Sequence, residues 1–368
     1  MPEAIVVGGG VMGLAAAREL RRRGYAVTLL ERARPGRAAS WASAGIIGAT
    51  VRDEADPGSA LRRLSRDLWP AFAESIEAES GLDPEYREMG CIQLATSETE
   101  LMRLRSAARR ADQATFLDRS ALENLEPSLS PAIAGGLLVP GGNVDNRRLC
   151  RALEIGARRA GVRIESGAEV RAVAKQGQRV TGVATLDGKL TADLVVLAAG
   201  AWSAAIENVE PRPPVRPQRG QILALDQTSV GLKHVLLTPS DPYFVPRSDA
   251  RLVIGATREE AGWDASLTVG GVGWLLARAM EVVPALAGCP IVELWTGFRP
   301  LSADGLPLIG RGACEGLYFL TGHGPSGIAP LPGSIALLMA LIEGELPPVD
   351  PAAFDPLRFV PPSLVATR

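Results

Sequence analysis

Ala4-Ile5-Val6-Val7-Gly8-Gly9-Gly10-Val11-Met12-Gly13 is an apolar run that breaks into glycines; an apolar helical stretch follows, then Val27-Thr28-Leu29-Leu30-Glu31. The order is strand, glycine turn, helix, strand, acid. Gly8, Gly10 and Gly13 occupy the three glycine positions of G-x-G-x-x-G. The first permits a tight turn, the second lets backbone approach a pyrophosphate, and the third lets helix and strand pack closely. The helix start offers free N–H groups and a positive dipole end to phosphates. Glu31 stands at the spacing of an acid that accepts ribose hydroxyls. The glycine pattern alone is weak. With its strand, helix and acid in place, it predicts a dinucleotide-binding unit carrying a redox cofactor, not a glycine turn without a ligand.

Around that unit, 368 residues favour two domains and can bury a large core. A net charge of −2 provides no field for nucleic acid or an acidic membrane. Lysine occurs only at Lys175, Lys189 and Lys233; the remaining basic charge is arginine. No apolar run is long enough to span a membrane. The first strand begins at the fourth residue, leaving no room for a signal or transit peptide, so a cytoplasmic protein is expected. Cys91, Cys150, Cys289 and Cys314 are scattered without C-x-x-C and read as reduced structural thiols. His234 and His323 are the only histidines. A His-rich metal site is excluded, and a Ser-His-Asp triad would have to use one of those two. No metal is expected.

A second βαβ-like pattern comes later. Residues 147–160 form an amphipathic helix, and Val162-Arg163-Ile164 and Val170-Arg171-Ala172-Val173 are strands. Val180 to Val183 pairs with residues 189–191 through Asp187-Gly188 as a hairpin. Leu194 to Gly200 is a buried parallel strand. The proline-rich stretch 211–217 looks like a crossing between domains. Period-2 runs at 220–225, 243–246 and 252–255 indicate an antiparallel sheet, hence a different layer. A helix at 270–283, a strand at 317–320, a glycine turn at 322–327 and a helix at about 328–343 follow. Residues 346–362 are proline-rich and expected to wrap the surface. The fold class is therefore α/β, α+β overall: a discontinuous Rossmann-like cofactor domain (1–85, 141–215, 296–368) with an inserted antiparallel-sheet substrate domain (86–140, 216–295).

Three features carry chemistry. The closing turn Gly322-His323-Gly324-Pro325-Ser326-Gly327 opens a helix and could aim a helix N-terminus at a flavin; a plain strand-to-helix connection is the alternative. Arg299, in Trp295-Thr296-Gly297-Phe298-Arg299-Pro300, offers a planar fork for a carboxylate, or else a structural salt bridge. Tyr243 could add a phenolic hydrogen bond, or be an ordinary strand residue. Trp41, Trp202, Trp263 and Trp295 read singly as core or interface packing.

Together these pieces resemble the D-amino-acid oxidase superfamily of FAD enzymes, in its glycine oxidase and sarcosine oxidase branch, over nearly the whole chain. The resemblance rests on Gly8 to Gly13 with Glu31-Arg32, on Ser40-Trp41-Ala42-Ser43-Ala44-Gly45-Ile46, and on Ala198-Ala199-Gly200-Ala201-Trp202-Ser203. It continues in Arg219-Gly220-Gln221, in Tyr243 to Arg247 through Gly255-Ala256-Thr257, and in Trp295 to Gly310. It implies that Gly8, Gly10, Val11, Met12, Gly13, Glu31 and Arg32 hold the ADP half of FAD. Ser40, Ser43, Ala44, Gly45 and Ile46 would contact pyrophosphate and flavin, and Val170 the adenine; Gly200 and Trp202 join the cofactor set. His323, Gly324, Pro325, Ser326, Gly327 and Ile328 would border the isoalloxazine. Arg299 would bind the substrate carboxylate, Tyr243 would close over it, and Arg258 would be a further pocket side chain.

Two departures stand out. The covalent-flavin branch has a cysteine near position 297, where this chain has Gly297, so non-covalent FAD is expected. Glycine oxidases tend to place an arginine in the last glycine turn, where this chain has Pro325, which points toward a larger or secondary amine. The expected reaction is oxidative deamination of a small amino acid (glycine, N-methylglycine or D-amino acid type) with hydride passing to flavin N5. The products would be a 2-oxo acid, ammonia or amine, and hydrogen peroxide, with oxygen as acceptor. A dehydrogenase of the same fold using a quinone, an NAD(P) oxidoreductase, and a non-catalytic FAD-fold subunit are the rivals. The resemblance leaves a homo-oligomer open.

Overall fold

A computed structural model describes residues 1–48, 56–109 and 113–360. A six-stranded sheet runs in the order Leu308–Arg311, Leu317–Thr321, Leu194–Leu197, Glu3–Val7, Ala26–Glu31, Arg163–Ser166. All neighbours are parallel except the first pair. Its central strands are continuous apolar runs because both faces are covered. Ala4, Val6, Leu29 and Val196 face the helices Val11–Arg22, Gly58–Ser80, Asn146–Arg159 and Leu331–Glu343. Ile5, Val7, Leu30 and Val195 face a three-stranded sheet built from Val170–Gln176, Arg179–Thr185 and Gly188–Thr191. Asp145 caps the Asn146–Arg159 helix by accepting from the N–H groups of Arg147 and Arg148. Buried Arg18 ties two helices together, donating to both carboxylate oxygens of Glu79 at 2.5 and 2.6 Å.

The second layer is an eight-stranded sheet, ordered Ile291–Ser302, Val215–Asp226, Arg251–Gly255, Tyr243–Pro246, Val235–Leu237, Cys91–Ala95, Gly135–Val139, Thr115–Leu117. It is antiparallel except where Val235–Leu237 meets Cys91–Ala95. One face takes Leu275, Ala279 and Val282 of the Val269–Val282 helix onto Leu223, Leu225 and Ile254. The other face presents Ile222, Ala224, Val245, Val253 and Trp295 to Ala42 and Ala44. The sheet therefore closes over the carboxyl ends of the parallel strands, where α/β sheets place their ligands.

Local details depart from the sequence expectation. The Ile291–Ser302 strand stays antiparallel well past residue 295, where a return to the cofactor layer was expected. Gly297 and Pro300 hide its period-2 signal, and Pro300 is tolerated because this is an edge strand. The hairpin pairs Thr185 with Gly188, so its loop is Leu186-Asp187, not Asp187-Gly188. The last α-helix begins at Leu331, after a 3₁₀ turn at Gly324–Ser326, and not near 328. Pro332 lacks an N–H and fits only in the first turn, which delays the helix start. In the 346–362 stretch, Phe354 is buried and Arg358 pairs with Asp304 at 2.8 Å; residues 361 and 362 lie outside the described residues.

Candidate active site

The two layers enclose a cavity of about 880 Å³. At its dinucleotide end, the glycines are required by space. A Cβ on Gly8, where φ is +106°, would lie 2.5 Å from the Ala198 carbonyl oxygen. One on Gly13 would lie 1.9 Å from the Gly8 oxygen. Gly13 therefore serves helix-to-strand packing and is the one expected cofactor residue that does not line the cavity. Gly10 faces Ser40, whose hydroxyl accepts from the Val11 N–H at 3.0 Å and so satisfies one of the first-turn donors of the helix. The Glu31 carboxylate accepts from the N–H groups of Gly9 at 2.7 Å and Ala33 at 2.9 Å, which fixes it on the wall. The Arg32 guanidinium lies 3.7 Å over the Trp202 ring. Val170, with Ala168 and Arg171, completes this end.

Ser43, Ala44, Gly45 and Ile46 line the middle of the cavity. Gly45 has φ +65°, and a Cβ there would lie 2.1 Å from the Val144 oxygen. Buried Arg247 pins this segment. It donates to the carbonyls of Ala44 at 3.0 Å and Val144 at 2.7 Å, and to the side-chain oxygens of Asn143 and Asn146. Burial pushes its guanidinium down to about 10, so it remains charged at neutral pH.

Gly200, Trp202 and the run from His323 to Ile328 also line the cavity. These residues lie in two 3₁₀ turns, Gly200–Ala205 and Gly324–Ser326, and in the loop flanking the second; the N-terminus of the last α-helix is not the wall, because its first turn is already engaged. Leu331 donates to the Ile328 carbonyl and Gly333 to the Ser65 hydroxyl, while Pro332 has no N–H to offer. His323 is buried, with Nε2 3.2 Å from the Ser334 hydroxyl. Burial pushes its pKa down to about 3, so the ring is neutral.

Arg299, Tyr243 and Arg258 meet at the remaining end, with Asp241. Arg299 is half-buried and donates to the carbonyls of Thr257 at 3.0 Å and Arg219 at 3.3 Å. Among the described residues it makes no ion pair, and burial lowers its pKa. A desolvated guanidinium held only by carbonyls is poised for an anion. Burial pushes the Tyr243 hydroxyl up to about 12, so it stays protonated and able to donate. Arg258 is not free: its Nε donates to Asp241 at 2.7 Å.

Sequence reasoning missed Asp241, the role of Arg247, and a row formed by Arg62, Arg63 and Arg66 on the cavity wall. Arg247 carried a signal, a cation ending the apolar run Tyr243-Phe244-Val245-Pro246; Asp241 carried none. Of the tryptophans, only Trp202 lines the cavity; Trp263 stacks on it at 4.6 Å. Trp295 is buried and donates to the Ala42 carbonyl at 3.0 Å. Among the described residues there is no helix long and apolar enough to cross a membrane, and no metal-binding cluster of His, Cys, Asp or Glu.

The residues present fit a flavin dinucleotide. The cradle at Gly10 is one a Cβ would crowd against Ser40, and the fixed Glu31 carboxylate faces the same cavity as the glycine turn. The family described as FAD dependent oxidoreductase matches residues 3–341. The chain is 36% identical to a glycine oxidase of Pseudomonas aeruginosa, over 96% of this chain and 98% of that protein. It is 34% identical to a glycine oxidase of Pseudomonas putida, over 96% and 98%. The solved glycine oxidase of Geobacillus kaustophilus is similar, with a TM-score of 0.91 and 31% identity over 98% of this chain and 100% of that one.

Proposed function

The chain belongs to the FAD-dependent oxidoreductase family, and we propose that it oxidises the C–N bond of a small amino acid of the glycine type. The observation that carries this is Arg299: a half-buried guanidinium on the cavity wall with carbonyl partners and no ion pair among the described residues. Its fork takes the substrate carboxylate through paired hydrogen bonds, and the neutral Tyr243 hydroxyl donates a further one. Holding the carboxylate fixes the α-carbon and its amine, which replaces an entropically costly encounter by a positioned one.

When bound, FAD supplies a two-electron acceptor that takes the α-hydrogen as hydride. Gly8, Gly10, Val11, Met12, Glu31 and Arg32 would hold its ADP half. Ser40, Ser43 to Ile46, Val170, Gly200, Trp202 and the His323–Ile328 loop would complete the cradle. Gly13 keeps the glycine turn closed behind it. The amine enters neutral, so the reaction needs no protein base. The only histidine on the wall, His323, is neutral and engaged with Ser334. The substrate imine hydrolyses to a 2-oxo acid and ammonia or an amine. Oxygen is the proposed final acceptor, giving hydrogen peroxide.

Attachment of FAD is proposed to be non-covalent. Position 297 is glycine, and no cysteine is among the described residues that line the cavity. Four free thiols support a cytoplasmic setting.

The test is anaerobic bleaching of the flavin absorbance by glycine, sarcosine, proline and D-amino acids, followed by air. Bleaching by one class with rapid recovery in air is expected. Bleaching with slow recovery would replace oxygen by another acceptor. No bleaching by any amino acid would overturn the proposal.

A further inference from the structure

A second charged pair shares the substrate end with Arg299. Asp241 and Arg258 line the same cavity as Tyr243 and Arg299, and the Arg258 Nε donates to Asp241 Oδ2 at 2.7 Å. Strand pairing brings them there. Asp241 lies two residues before Tyr243, and Arg258 three residues after Gly255, the cross-strand partner of Tyr243. Neighbouring acids are committed elsewhere: Glu259 takes Arg219, and Glu260 takes Arg216. Asp241 is therefore the counter-charge of Arg258. Its carboxylate is mostly covered, at 16% exposure, whereas the Arg258 side chain is 61% exposed. Asp241 also holds φ at +60°, an uncommon conformation outside glycine that aspartate tolerates and that persists where the surroundings impose it.

We propose that Asp241 and Arg258 form a charge-selecting subsite that admits amino acids with one carboxylate and rejects those with two. The inference deepens the proposed amino-acid oxidation and rests on it. Charge balance carries it. Arg299 makes no ion pair among the described residues and takes the α-carboxylate as its direct partner. Arg258 is already neutralised by Asp241. A second carboxylate bound at Arg258 on the cavity side would stand near Asp241, where like charges repel. A net-neutral amino acid meets no such conflict. The Nε contact of Arg258 holds the Asp241 carboxylate in place, so Asp241 acts as the excluding group.

The experiment compares glycine with iminodiacetate, which is glycine bearing a second carboxylate on its nitrogen, in the wild-type holoenzyme, Asp241→Asn and Arg258→Met. Asparagine keeps the shape and the φ tolerance but removes the charge, leaving Arg258 free. The ratio of kcat/KM for iminodiacetate to that for glycine is expected to be well below one in the wild type. It should rise at least tenfold in Asp241→Asn. Arg258→Met leaves Asp241 unopposed, and the ratio should stay at or below the wild-type value. A ratio unchanged in Asp241→Asn, or a wild type that uses both substrates equally, overturns the subsite while leaving the oxidation intact. If Asp241→Asn does not fold, a ratio raised in Arg258→Met overturns the subsite and one at or below the wild-type value upholds it. A wild type inactive on every amino acid overturns the proposed reaction first, and the subsite with it.

Discussion

Gly220 and Arg299 face each other so closely across two paired strands that a Cβ on Gly220 would lie 2.7 Å from both terminal guanidinium nitrogens. Glycine at 220 thus makes the room in which the fork stands. Gly220→Ala should displace Arg299 without altering its charge, and misplacement of a positioning group by about 1 Å can cost about 100-fold. The expected result is a KM for the amino acid raised at least about tenfold, with flavin absorbance per mole of protein unchanged. Arg299→Ala should raise it further, also with FAD retained. Steady-state kinetics on both variants checks this; an unchanged KM in Arg299→Ala would remove that residue from the substrate site.

Arg247 joins Ala44, Val144, Asn143 and Asn146 through one buried guanidinium. Arg247→Met leaves four buried acceptors unpaired, one of them on Ala44 of the cavity wall and the others behind it. Each buried acceptor left unsatisfied costs about 1–3 kcal/mol. Urea unfolding of the FAD-saturated variant should show that loss, and FAD should bind more weakly as well. A loss below about 1 kcal/mol would mean that water replaces the side chain without penalty.

Gly297 bears on flavin attachment. Acid precipitation should release all flavin from the wild type. Gly297→Cys should not simply install a covalent link, because its Cβ would lie 2.4 Å from the Ala42 Cβ. Overpacking of this kind costs about 1–3 kcal/mol. The melting temperature should fall in Gly297→Cys and recover in the double variant with Ala42→Gly. A single variant as stable as the wild type would contradict the contact.

His323 sets an acid limit on stability. Its pKa is about 3 in the fold, below the ordinary 6.5, because burial disfavours the charged ring. The unfolded chain therefore binds the extra proton first. The contribution is complete above about pH 6.5 and is lost as pH falls toward 3, with a slope of up to about 1.4 kcal/mol per pH unit. Chemical denaturation at pH 7 and pH 5 should show a smaller drop in His323→Asn than in the wild type. Equal drops would place the acid sensitivity elsewhere.

The dinucleotide end was legible because its chemistry is local. Gly8, Gly10 and Glu31 lie within one βαβ unit, and periodicity places them on one end of a sheet. The antiparallel layer was legible from alternation at 220–225 and 243–255. Its edge strand was cut short in the reading because Gly297 and Pro300 carry no alternation. The position of Arg299 on the cavity wall was foreseeable only through the resemblance, since residue type alone left a structural salt bridge equally open.

By itself, then, the sequence determined the elements, their layers and the glycines that admit a dinucleotide, all set by sterics and burial over short stretches of chain. Only the tertiary structure decided that Arg299 has carbonyls rather than acids for partners, that Arg258 is neutralised by Asp241, and that Arg247 reaches back to Ala44. Those partnerships join residues tens to hundreds of positions apart, and a charge acquires a role only when folding decides which opposite charge stands beside it and how much water is left between them.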